Sequence, residues 1–97
     1  MNNHILHNTT DVIIKQLDNN IFDGGIDYGS LVLVIKYAFL DSGDLVLQNR
    51  LESAILRNFT DNFIDNPELL CYMTKELERF NYNDRIQYIL NLMTLSI

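Results

Sequence analysis

With one cysteine, Cys71, the chain can form no intramolecular disulfide, which suits a reducing compartment and a cytoplasmic location. One proline and four glycines among 97 residues are too few turn formers for an all-β or loop-rich design. Basic residues are scarce as well: seven Lys and Arg face thirteen Asp and Glu, a formal net charge of −6. A field of that sign repels phosphate backbones and argues against direct nucleic-acid binding, whereas it attracts basic partners. No apolar run approaches the roughly 20 residues that cross a bilayer, and Leu31–Leu40 reaches half of that. The start, Met1-Asn2-Asn3-His4-Ile5-Leu6-His7-Asn8, carries neither a basic nor an apolar signal region, so no secretory leader is expected.

Chemistry-bearing patterns are missing too. No glycine-rich phosphate loop, Ser-His-Asp arrangement or metal-spaced cluster occurs. Asp23-Gly24-Gly25-Ile26-Asp27 lacks the alternating ligands and terminal glutamate of an EF-hand loop. His4 and His7 stand three apart, but they precede the first clear helical pattern and lack rigid companion ligands. Cys71 sits among Leu69, Leu70 and Met73, which reads as a core thiol. The expectation is a protein without catalysis, metal or cofactor.

What is present is a core. Hydrophobic residues make up 47% of the chain and charged ones 21%, a globular balance. A chain of this length forms a single domain, 1–97, and buries about 60–65% of its unfolded surface. Ser30–Leu40, S-L-V-L-V-I-K-Y-A-F-L, is its most apolar stretch, with Lys36 as the one charge. Leu-Val-Leu-Val-Ile is strand-prone, but the run continues unbroken to Leu40 and no second strand-like segment could pair with it. It therefore reads as a buried helix, along whose stem Lys36 reaches the surface.

The other elements follow from periodicity and caps. Val12, Ile13, Leu17 and Ile21 predict a first helix over about 10–21, capped by Thr9 or Thr10 and ended at Phe22–Gly25. Asp44 caps a third, about 45–59, whose inner face is Leu47, Leu51, Ala54, Ile55 and Phe59. After the polar link Thr60–Asp65, Asn66-Pro67-Glu68 supplies cap, first-turn proline and first-turn acid for a fourth, about 67–80. Asp84 is expected to cap a fifth, about 84–95, with a core stripe of Ile86, Ile89, Leu90 and Met93. The fold class is all-α, a five-helix antiparallel bundle or a short stack of αα-hairpins. An offset of 38 residues lays Ile26-Asp27 over Ile64-Asp65 and Leu31, Val32, Ile35 and Phe39 over Leu69, Leu70, Met73 and Leu77. That spacing is close to helical-hairpin repeats, but any two amphipathic hairpins of similar length align about as well, and coincidence is the better explanation.

Charge order points to a surface. No base lies between Lys15 and Lys36, a window holding Asp18, Asp23 and Asp27, nor between Arg57 and Lys75, which encloses Asp61, Asp65 and Glu68. In an up-and-down arrangement both windows fall at one end, with Tyr28 and Phe63 among the carboxylates. Asp23, Asp27, Tyr28, Asp61, Phe63, Asp65 and Glu68 are thus the candidate partner-binding residues. Helix capping accounts for Asp27 and Asp65 without any partner.

In size, acidity, lack of catalytic groups and helical pattern the whole chain resembles bacterial immunity proteins of the bacteriocin and contact-dependent inhibition kind. The resemblance implies a non-catalytic inhibitor that neutralises a basic toxin domain, such as a nuclease. The rival expectation is an adaptor or assembly subunit, in its simplest form a homodimer. It rests on Tyr88, Leu92, Leu95 and Ile97, which lie off the core stripe of the last helix.

Overall fold

In the computed structural model, residues 3–19 and 27–96 are described, with Asn3, Asp61, Asn62 and Ser96 described by their backbone alone. The chain is all-α: α1 (Asn3–Asp18), α2 (Tyr28–Lys36), α3 (Leu45–Asn58), α4 (Pro67–Leu77) and α5 (Asp84–Ser96). Wide π turns, Tyr37–Asp41 and Phe59–Phe63, extend α2 and α3, and a 3₁₀ turn, Glu78–Phe80, extends α4.

The helix signals act largely as the sequence suggests. Asp44 caps α3 by accepting from the Leu47 N–H at 3.1 Å, and Asn66 caps α4 by accepting from the Leu69 N–H at 3.1 Å. Gly43, at φ +62°, takes the left-handed conformation that turns the chain from α2 into α3. Three expectations need correction. α1 begins at Asn3, well before Thr9 and Thr10, whose hydroxyls donate instead to the carbonyls of Ile5 and Leu6 one turn back. α5 is capped by Asn83, whose Oδ1 accepts from the N–H groups of Arg85 and Ile86, rather than by Asp84. Cys71 is exposed, because it stands one step off the buried stripe Leu70, Met73, Leu77. The expected stop of the first helix at Phe22–Gly25 lies outside the described residues.

The helices form two layers. α1 lies on α3 and runs parallel to it, since Asp11 meets Arg50 and Asp18 meets Arg57 two turns further along both helices. α2 lies on α4, also in parallel: Tyr28 meets Asn66 at one end and Lys36 lies over the Phe80 ring, 5.1 Å from its centroid, at the other. Each such pair is second-nearest in sequence, so successive helices alternate in direction, as in a short stack of αα-hairpins. α5 packs on α4 and is tied to α3 by Arg85, which donates to Asn49 at 2.7 Å and pairs with Glu52 at 3.6 Å.

Ser30–Leu40 is the helical centre. Leu31, Val34, Ile35 and Ala38 are fully enclosed, with Leu51, Ile55, Leu69 and Met73 in the same core. The positions aligned at the 38-residue offset, Leu31 with Leu69 through Phe39 with Leu77, are all buried. Two helices that lie side by side in one layer thus bury corresponding residues.

The ionic contacts concentrate on the α1–α3 layer. The Arg50 guanidinium, with Lys15 beside it, holds the Asp11 carboxyl below the usual carboxylate range, and both basic groups keep much of their exposure. Among the described residues, no helix is long and apolar enough to cross a membrane.

Candidate acidic and aromatic binding face

The parallel pairing of α2 with α4 brings two helix N-termini to one pole. Asn66, while its Oδ1 caps α4, donates from Nδ2 to the Tyr28 hydroxyl at 2.8 Å. That bond places Asp27 and Asp65, the residues preceding its two partners, on either side of the junction. Glu68 follows in the first turn of α4, and all three carboxylates are exposed. None forms an ion pair among the described residues.

Five of the seven basic residues are engaged elsewhere. Arg50 and Arg57 bind Asp11 and Asp18, Lys15 binds Asp11, and Arg85 binds Glu52. Lys36 covers Phe80. Four of the seven basic residues are thus held in the α1–α3 layer and at the α3–α5 seam, while Lys36, Lys75 and Arg79 stand toward the C-terminal end of the α2–α4 layer, away from the acidic starts of both helices. Exposed pairs of that kind contribute little stability each, about 0–1 kcal/mol, but they fix where the net charge lies.

Of the residues expected at this pole, Asp27, Tyr28, Asp65 and Glu68 come together. Phe63 does not belong there. It is completely buried, at 0% exposure, because the π turn continues α3 and swings its ring into the core, edge-on to Phe59 at 6.2 Å. Asp23 and the Asp61 side chain lie outside the described residues. Asp18 is consumed by Arg57, a base that arrives from another helix and that the spacing of bases along the chain does not reveal.

One participant is missing from the sequence reading: Tyr72. It is 37% exposed and its ring lies 6.2 Å from that of Tyr28, tilted by 41°. The signal for it was its place off the α4 core stripe, one turn beyond Glu68, on the surface that also carries the acids. Asp27 is unusual among the caps. It occupies the N-cap position of α2, yet among the described residues its carboxylate makes no capping bond to a backbone N–H and takes the Ser30 hydroxyl, at 2.9 Å.

The remaining features offer less. A groove of about 300 Å³ between α1 and α3 is lined by Lys15 and Arg50, both held by Asp11, and by the Asp18–Arg57 pair. His7 is directed to Tyr37 and Asp44, whereas His4 meets Asn8, so the two imidazoles serve different contacts. On α5, Tyr88 is 48% and Leu95 85% exposed, while Ile97 lies outside the described residues.

Comparison with known proteins finds no matching family model, no matching curated protein and no matching solved structure.

Proposed function

We propose that the chain is a non-catalytic inhibitor of the immunity type, acting in the bacterial cytoplasm on a basic toxin domain such as a nuclease. The observation that carries this reading is the segregation of charge. Among the described residues Asp27, Asp65 and Glu68 have no basic partner beside Tyr28 and Tyr72, while Arg50, Arg57 and Arg85 are paired elsewhere. Carboxylates ringing aromatic anchors complement a surface built to hold phosphates, and masking such a surface needs no chemistry.

The test is binding to, and inhibition of, the product of the neighbouring reading frame. The triple variant Asp27→Asn, Asp65→Asn, Glu68→Gln should bind about 100-fold more weakly, mostly through slower association, since close charge pairs at interfaces carry large coupling energies. Asparagine and glutamine keep hydrogen-bonding capacity at the helix starts, so the circular dichroism of the variant should match the parent. Equal affinity of the variant, or binding indifferent to 1 M salt, would overturn the reading, because screening at that strength confines exposed charges to about 3 Å.

A second reading is favoured by the exposure of Tyr88 and Leu95 on α5, an apolar surface suited to a second copy of the chain. Under it, the protein sediments as a dimer and Leu95→Lys returns it to the mass of one chain. The inhibitor reading expects the single-chain mass for both.

A further inference from the structure

One side of the α4–α5 hairpin supplies Met73, Leu77, Ile86, Ile89 and Met93 to the core. On another, a groove of about 180 Å³ runs between Thr74, Glu78 and Asn81 from α4 and its following turn, and Gln87, Asn91 and Thr94 from α5. Each trio is spaced by four and then three residues, which keeps it on one helix face. Leu90, almost wholly buried, also lines the groove. Thr74 is anomalous. Among the described residues its hydroxyl is the one buried side-chain polar atom without a hydrogen-bond partner. Thr9, Thr10 and Thr94 donate to the carbonyl four residues earlier, and Thr74, though inside α4, does not. Burying a hydroxyl without a partner is unfavourable, and this one belongs to the groove.

We propose that this groove binds a short extended segment of a protein partner by its main chain, with a basic side chain of that segment beside Glu78. No base lines the groove, which argues against an anion. Its walls are largely exposed, whereas sites for small molecules enclose most of their ligand. A chain that continues past both ends needs no such enclosure. Three carboxamides and two hydroxyls offer donors and acceptors side by side, as peptide groups do. Gln87 and Asn91, four residues apart, lie about 6 Å apart along α5. An extended chain presents the same edge every second residue, at about 6.6 Å, so each carboxamide can meet the N–H and C=O of one residue. Thr94 gives its proton to the Leu90 carbonyl at 2.8 Å and can accept an N–H, while the Thr74 hydroxyl can donate or accept. Glu78 is the one charged group on the groove, and among the described residues it forms no ion pair. The groove lies toward the end of α4, away from Glu68 at its start, and does not depend on the reading of the acidic pole.

The experiment titrates the peptide acetyl-Ala-Lys-Ala N-methylamide into the full chain labelled with ¹⁵N. Two further peptides serve as comparisons, one methylated at its main-chain nitrogens and one with glutamate in place of lysine. The expected result is a saturable shift centred on Thr74, Gln87 and Asn91, including the carboxamide signals of the last two. The methylated peptide should bind about tenfold more weakly, having lost its N–H donors, and the glutamate peptide several-fold more weakly. Thr74→Val keeps the shape and removes the hydroxyl, so it should melt at or above the parent temperature and weaken binding several-fold. Gln87→Ala with Asn91→Ala, at exposed helix positions that favour alanine, should weaken it about tenfold. Equal binding of the methylated peptide, undiminished binding by either variant, shifts centred elsewhere or no saturable shift would overturn the proposal. So would a lower melting temperature for Thr74→Val, which would give the hydroxyl a partner within the fold. The triple charge variant of the acidic pole should bind the peptide as the parent does. Loss of the peptide there would move its site to that pole and overturn the groove, whereas loss of the toxin partner alone would leave both readings standing.

Discussion

Phe63→Ala destabilises the protein by about 3–5 kcal/mol, the range for deleting a buried aromatic ring and leaving its cavity. The ring is wholly enclosed, and its neighbour Phe59 meets it edge-on. A domain of this size has only about 5–15 kcal/mol in hand, so the variant loses about a fifth or more of its stability. Its melting temperature should fall by about 15 °C or more. Urea unfolding of parent and variant checks this. A loss within about 0.5 kcal/mol would be the behaviour of an exposed side chain and would return Phe63 to the binding face. The physical reason for burial is the turn itself. The Ile64 N–H reaches back to the Phe59 carbonyl at 2.9 Å, and the Asn66 N–H to the Phe63 carbonyl at 3.0 Å. This helical continuation carries Phe63 inward where a flexible polar link would have let it face solvent.

The second large effect is expected at Asn83. Its Oδ1 caps α5 through two backbone N–H groups at 3.1 Å, and its Nδ2 donates to the Phe39 carbonyl at 3.0 Å. Asn83→Ala removes all three bonds. Loss of a cap costs about 1 kcal/mol and a stranded, partly buried carbonyl about 1–3 kcal/mol, so the sum is about 2–4 kcal/mol. Asp84→Ala, by contrast, should stay within about 0.5 kcal/mol. The comparison is decisive because the two residues are adjacent and both are good caps. The reverse ranking in thermal unfolding would mean that Asp84 starts the helix. Asn83→Asp separates the contributions: it keeps the accepting oxygen for α5 but loses the donor to Phe39, and so should fall between parent and alanine variant.

Element types and most core faces were legible in the residues. Asn66-Pro67-Glu68 starts α4 where each residue's own chemistry favours it, and Leu70, Met73 and Leu77 are buried as their spacing requires. Misreadings fell where two local solutions were nearly equal. Thr9 and Thr10 can cap a helix or bond back to Ile5 and Leu6 within one, and the burial of Leu6 and Thr10 selects the second. At Asn83 and Asp84, the Phe39 carbonyl selects the amide, because a carboxylate has no proton to give it. The polar composition of Thr60–Asp65 reads as a link, whereas a π turn continues α3 there and carries Phe63 inward.

The acidic pole divides along the same line. Composition with the pattern of apolar residues and caps determined that the chain is all-α, strongly acidic and centred on a helical Ser30–Leu40. The order of charges further implied that Asp27 and Asp65 share an end, because alternating helices return to the same side. Tertiary structure decided which carboxylates stay uncompensated there. Arg57 reaches Asp18 across two layered helices, while Asp27, Asp65 and Glu68 form no such pair. It also decided that Tyr72 joins Tyr28. Linear spacing cannot supply these facts. Charge pairing and ring contacts depend on distances between helices, which follow from how the buried faces pack.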